Sequence, residues 1–311
     1  MSNDLPAPPA SKKLRWKIVG VVVLFVFIAG GYWLTGKIES ALLFPAPQLS
    51  VDSDSGTKFE LRDQLHLLTL PGGASVPIPN SVGRGLMAWS GFYDPTYQLL
   101  EPFESRETSP LLIYCHGNGE LIGQWMDAFD EFRNRGFWVL LCEYPGYGSA
   151  EGKPSEKSIQ QTLMYAYDIA IQQPGIDPQC VIGWGRSLGG GAICTLAEER
   201  PLAAVILEST FSSVGEVAYE QFGVPSFFIR NQFNNLATVK SLKVPLLILH
   251  GEQDQAISVA NARRLHAAAP GSELEILSCD HNDCPDASQR ILQFLTSRGV
   301  VKKEESATDE R

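Results

Sequence analysis

The chain has 311 residues, 44% of them apolar and 19% charged, with a net charge of −10. This composition excludes whole-chain disorder, and the length suits one catalytic-size domain plus an appendage. The acidic balance offers no basic surface to a nucleic acid, so no nucleic-acid partner is expected.

Residues 1–17 form a polar, basic leader. Ile18 to Leu34 follows as seventeen residues without a charge, with Trp16 at one end and Tyr32 and Trp33 at the other. That length is at the short end of what crosses a bilayer core of roughly 30 Å, and aromatic rings favour the two interfaces. A transmembrane anchor over 18–35 is expected. A cleaved signal peptide is the rival, but no small-x-small cleavage site directly follows the apolar run. Lys12, Lys13, Arg15 and Lys17 precede the span, so the positive-inside bias puts the N-terminus in the cytoplasm and the rest of the chain across the membrane. The absence of an Asn-x-Ser/Thr sequon leans towards a bacterial periplasm.

Residues 36–60 read as a linker containing Pro45 and Pro47. From 61 to 298 apolar strands alternate with amphipathic helices. Gln64–Leu70 and Gly85–Phe92 are early strands around a Gly/Pro-rich turn, and Asp94–Ser109 reads as a polar surface insertion. Strands are expected at Leu111–Cys115, Phe137–Cys142, Cys180–Ile182, Ala203–Leu207, Pro245–Leu249 and Leu274–Leu277. Helices are expected at Leu121–Arg135, Ser155–Gln172, Leu188–Glu199, Val259–Ala268 and Ala287–Leu295. This alternation predicts an α/β class with a mostly parallel sheet covered on both faces. Residues 209–243 are the expected cap and 299–311 a polar tail.

Cys115, Cys142 and Cys194 sit in apolar patterns and read as buried small hydrophobes. Cys279 and Cys284 bracket His281, and both a disulfide and a pair of free thiols are open readings. There is no His-Glu-x-x-His, and the Cys/His cluster would need ligands from elsewhere, so neither metal nor cofactor is expected.

Acyl transfer needs a nucleophile, a base, an acid that orients the base, and donors for the oxyanion. Gly185-Arg186-Ser187-Leu188-Gly189 lies between a strand and a helix, the setting of a nucleophile elbow, which makes Ser187 the candidate nucleophile. A Gly-x-Gly-x-x-Gly reading from Gly183 fails at Leu188, which removes the dinucleotide alternative. Of five histidines, His281 alone lies in a polar loop after the last strand; His66, His116, His250 and His266 read as structural or surface residues. Asp254, in the loop after Pro245–Leu249, is the candidate acid, with Glu208 as runner-up. Asp280 and Asp283 are too close in sequence to His281 to orient its ring. The backbone N–H groups of Leu188 and Asn118 are the expected oxyanion donors.

Four motifs occur in order: His116-Gly117-Asn118-Gly119, the Glu143–Glu156 run beginning Glu-Tyr-Pro-Gly-Tyr-Gly, Gly185–Gly189, and His250-Gly251-Glu252-Gln253-Asp254. Together they resemble the membrane-anchored α/β-hydrolase-domain proteins, a branch that includes protein depalmitoylases and lysophospholipid or monoacylglycerol lipases. The resemblance runs from about residue 60 to 297. It implies the α/β-hydrolase fold and the triad Ser187, Asp254 and His281. Ser149-Ala150 and the length of the 94–109 insertion depart from the family pattern.

The expected activity is hydrolysis of an ester or thioester with an apolar acyl part. Phe211, Tyr219, Phe222, Phe227, Phe228 and Phe233 either line an acyl pocket or bury the cap against the domain. A serine peptidase or amidase on the same fold and a non-catalytic membrane-anchored scaffold are the alternatives.

Overall fold

The computed structural model describes Leu43, Phe44, the strand backbones at 65–69, 75–79 and 85–88, and residues 97–302 except 105, 149 and 286. The leader and the span expected at 18–35 lie outside the described residues. No helix among the described residues is long and apolar enough to cross a membrane.

An eight-stranded sheet organises the domain. β1 (Leu65–Thr69) and β2 (Ser75–Pro79) form a separate antiparallel pair. β3 (Gly85–Ala88) and β4 (Tyr97–Leu100) are the antiparallel edge of the main sheet. The parallel strands are β5 (Ser109–Cys115), β6 (Trp138–Cys142), β7 (Ile176–Arg186), β8 (Ala204–Glu208), β9 (Leu246–Gly251) and β10 (Glu273–Leu277). The spatial order is β10-β9-β8-β7-β5-β6-β4-β3. The chain moves outwards from β5 to β6 and returns on the other side of β5 as β7. The crevice beyond the carboxyl ends of β5 and β7 is therefore a topological switch point, where open α/β sheets carry their sites.

Both faces of the sheet are covered, as the unbroken apolar strands require. Along β5, Leu111, Ile113 and Cys115 point to one core and Leu112 and Tyr114 to the other. The first core takes most of its helical side chains from α2 (Glu156–Ala170), α3 (Leu188–Glu199) and α6 (Ala260–Ala268). The second takes them from α1 (Asp130–Asn134) and α7 (Ser288–Ser297). Ser155 caps α2 by accepting from the Ser158 N–H at 3.1 Å, which sets that helix start where the sequence placed it.

Three expectations need correction. The 94–109 segment is not a surface insertion throughout: Tyr97–Leu100 is a buried strand that pairs with β6. Only four residues long and set among prolines and polar residues, it leaves little periodic signal. The helix expected at Leu121–Arg135 is broken into 3₁₀ turns at Ile122–Gln124 and Met126–Phe129 before α1. The cap aromatics do not act as one set. Phe211 and Phe233 are buried in the core, whereas Tyr219, Phe222 and Phe227 are exposed. The cap is built from α4 (Val214–Phe222), a 3₁₀ turn at Ser226–Phe228 and α5 (Asn235–Ser241).

Candidate active site

Ser187 stands where β7 turns into α3, with φ +52° and ψ −116°. A non-glycine residue in this region is strained and persists only where its surroundings enforce it. Here the Ser187 N–H donates to the Glu208 carbonyl at 2.9 Å, and the Thr210 hydroxyl donates to the Ser187 carbonyl at 2.7 Å. A β-carbon on Gly185 would lie 2.1 Å from the Gly189 oxygen, and one on Gly189 would lie 1.9 Å from the Cys115 oxygen. Neither is possible, so the turn closes only with glycine at both positions. The same approach brings the first turn of α3 against the end of β5, beside the loop that holds Asn118.

His281 lies between β10 and α7. Its Nε2 is 3.1 Å from Ser187 Oγ, and its Nδ1 is 2.7 Å from Asp254 Oδ2. Nδ1 faces a carboxylate and therefore donates, leaving the Nε2 lone pair directed at the serine hydroxyl. Asp254 is buried. Its Oδ1 accepts from the Ala256 and Ile257 N–H groups at 2.9 and 2.7 Å, which turns Oδ2 towards the histidine. Burial pushes this carboxyl up, but hydrogen bonds from His250, His281 and the Ile257 N–H outweigh it and hold it well below the usual carboxylate range.

The structure thus brings Ser187, His281 and Asp254 into one hydrogen-bonded chain. Glu208, the runner-up acid, instead accepts from Trp184 Nε1 at 2.9 Å. Asp280 and Asp283 bind backbone: Asp280 Oδ1 accepts from the His281 and Gln255 N–H groups, and Asp283 Oδ1 from the Asp280 N–H. Leu188 is the first residue of α3, where helix N–H groups lack intrahelical partners, and Asn118 is exposed in the loop beyond β5. Asn118 Oδ1 accepts from the Tyr147 hydroxyl at 3.1 Å.

Several contributors were not singled out in the sequence. His250, expected to be a structural or surface residue, is buried beside the acid: its Nε2 donates to the Ile257 carbonyl at 2.7 Å and lies 3.3 Å from Asp254 Oδ2. Glu143 Oε1 lies 2.9 Å from His116 Nε2, and the Tyr144 hydroxyl donates to the His116 carbonyl at 2.7 Å. The Glu-Tyr-Pro-Gly-Tyr-Gly motif therefore shapes the loop that carries Asn118. Arg186 donates to the His281 carbonyl at 2.9 Å, to Asn282 Oδ1 at 2.7 Å and to Glu120. Glu120 in turn accepts from the Gly117 N–H at 2.8 Å. One arginine so joins the base loop, the serine turn and the loop after β5. Membership of the quoted motifs is the available signal for His250, Glu143, Tyr144 and Arg186, whereas Glu120 lies one residue beyond them.

Cys279 and Cys284 form a disulfide, with Cα atoms 5.0 Å apart, that closes a ring around His281. Cys115, Cys142 and Cys194 are buried free thiols whose pKa values burial pushes well up, which makes them inert. No group of three or more possible metal-binding side chains occurs among the described residues. A cavity of about 1030 Å³ opens between Arg106, Arg135, Cys180 and Gln293, at the amino ends of the parallel strands and away from Ser187.

A family model described as serine aminopeptidase, S33, matches residues 106–229. Alpha/beta hydrolase domain-containing protein 17B of Xenopus tropicalis is 30% identical over 195 residues, covering 61% of this chain and 67% of that protein. Protein ABHD12B of Homo sapiens is 31% identical over 186 residues, covering 53% and 51%. The solved structure of Est1E from Butyrivibrio proteoclasticus superposes with a TM-score of 0.58 at 17% identity, over 70% of this chain and 99% of that one. This chain belongs to the α/β-hydrolase superfamily, in its branch of α/β-hydrolase-domain proteins, and is a hydrolase.

Proposed function

We propose that the chain is a membrane-anchored serine hydrolase that cleaves an ester or thioester with an apolar acyl part, through an acyl-enzyme on Ser187. The observation that carries this reading is the chain of contacts from Ser187 Oγ through His281 to Asp254, at 3.1 and 2.7 Å, on a turn with positive φ. His281 takes the serine proton as Oγ attacks the carbonyl, then returns it to the leaving group. Asp254 remains ionised and holds the ring in the required tautomer. The Leu188 and Asn118 N–H groups receive the oxyanion; losing one such donor costs about 3 kcal/mol in the transition state. Water repeats the cycle to release the acid. No metal or cofactor enters this scheme.

In this reading residues 1–17 are a cytoplasmic leader, 18–35 the anchor, 36–60 a linker, and 61–298 a catalytic domain outside the cytoplasm, on the periplasmic side of a bacterial inner membrane. The Cys279–Cys284 disulfide supports an oxidising compartment. The serine aminopeptidase description of the family model favours amide cleavage as the second reading.

Labelling with a fluorophosphonate probe tests the nucleophile. Wild type should label and Ser187→Ala should not; a folded wild type that stays unlabelled overturns the proposal. A series of p-nitrophenyl esters set against aminoacyl anilides separates the two readings. A rate rising with acyl length and no anilide turnover supports the acyl hydrolase.

A further inference from the structure

Three large rings stand out from the cap. Tyr219 is 64% exposed, Phe222 65% and Phe227 69%. Tyr219 and Phe222 are three apart on α4 and so share one side of it, while Gly223 in the left-handed conformation turns the chain back towards Phe227. The Phe227 ring lies against Phe228 with centroids 4.2 Å apart. At about 200 Å² per aromatic side chain, the three expose roughly 400 Å², the size of patch that marks an interaction site. The cap is also spared the acidity of the chain: residues 209–243 hold Arg230, Lys240 and Lys243 against Glu216 and Glu220, whereas the whole chain carries −10.

Phe44 says which way this patch faces. It is buried, and its ring meets Phe233 with centroids 6.4 Å apart. Phe233 belongs to the cap segment, beside the start of α3: a β-carbon on Gly191 would lie 2.8 Å from it. The next residue back, Gln232, donates to the Ser226 and Ile229 carbonyls at 2.5 and 2.7 Å, tying this point to the turn that carries Phe227. Leu34, the last residue of the apolar run, is ten residues before Phe44. Ten residues reach at most about 35 Å, less than the roughly 45 Å width of a domain this size. A chain held in a bilayer up to Leu34 thus has its cap end nearer the lipid than the opposite end of the sheet.

We infer that Tyr219, Phe222 and Phe227 dock the cap into the lipid surface, turning the carboxyl ends of the strands, with Ser187, towards the bilayer. The inference rests on the anchored reading above. Phenyl rings enter the acyl boundary, and a tyrosine sits well at headgroup level. An apolar acyl substrate then meets the catalytic end of the sheet without crossing bulk water.

The test uses the full chain reconstituted in phosphatidylcholine vesicles with a radiolabelled lipid. Phe222→p-benzoylphenylalanine is irradiated beside Phe103→p-benzoylphenylalanine, since Phe103 is 41% exposed but lies at the amino ends of the parallel strands. Turnover of a short, water-soluble ester, expected within twofold of wild type, certifies that both variants fold. Lipid adducts at least fivefold more abundant at 222 than at 103 are expected. A chain that floats with the vesicles but labels lipid equally at the two positions, or links to its own N-terminal segment or to a second copy, overturns the docking and leaves the anchor standing. A chain that does not float overturns both.

Discussion

The serine turn and the base loop meet across 3.1 Å, yet they are held by different means. The turn is fixed by its backbone: two glycines that admit no β-carbon, a strand entering, a helix leaving, and carbonyl contacts to Glu208 and Thr210. The base loop has no helix or strand at His281. Side chains hold it instead, through the Cys279–Cys284 disulfide, the reach of Arg186, and the Asp280 and Asp283 carboxylates on backbone N–H groups. A backbone-built element fails all at once, because its sterics permit one path. A loop held by side chains loosens by degrees as its ties are cut.

Substitutions should expose that contrast. Gly189→Ala, on the backbone side, should abolish activity and lower the melting temperature sharply, because its β-carbon would occupy the Cys115 oxygen; calorimetry and probe labelling read both. Asp254→Asn should lower kcat about 10³- to 10⁴-fold by releasing the tautomer of His281. It also carries a pH signature. The folded Asp254 is held below its unfolded value of about 3.9, so its stabilisation is complete above that pH and is lost as pH falls through the folded value. The difference in melting temperature between wild type and Asp254→Asn should therefore narrow below about pH 4.

On the side-chain side, Arg186→Met should cost about 10- to 100-fold in kcat with little change in KM, since it displaces the base without touching substrate. Arg186→Lys should not restore the rate, because an ammonium cannot span Glu120, Asn282 and the His281 carbonyl as a guanidinium does. The smallest effect belongs to the double variant Cys279→Ser, Cys284→Ser. Opening so short a loop costs about 2 kcal/mol of constraint, and kcat should fall a few-fold while Arg186 still holds the loop. Matching losses in wild type under a dithiol reductant would locate the effect in the disulfide.

The same division explains what the sequence made legible. α3 was read at its observed limits, Leu188–Glu199, because the glycines and the apolar strand before them leave a local pattern. The order Ser187, Asp254, His281 is legible for the same reason, as each follows its own strand, and the fold brings the three side chains together. β4 was missed because four residues carry too little periodicity. Arg186 and His250 lay inside recognised motifs, but their roles come from contacts that one sequence does not encode locally: Arg186 meets Asn282 across 96 positions. The cysteine pair stayed open because spacing alone favours neither state. The 5.0 Å between their Cα atoms is a property of the folded loop.

That 96-residue separation also sets an order of events. Contacts so distant in sequence form only after the intervening chain has been gathered, and β8, β9 and β10 must be added in turn to the β7 edge before Asn282 can reach Arg186. On the proposed mechanism, catalytic competence is therefore among the last properties a folding molecule acquires. A ribosome-bound chain lacking residues beyond 278 carries Ser187 but lacks His281. Recovery of probe labelling during refolding should trail recovery of helical signal, which makes the active site a clock for the completion of its own fold.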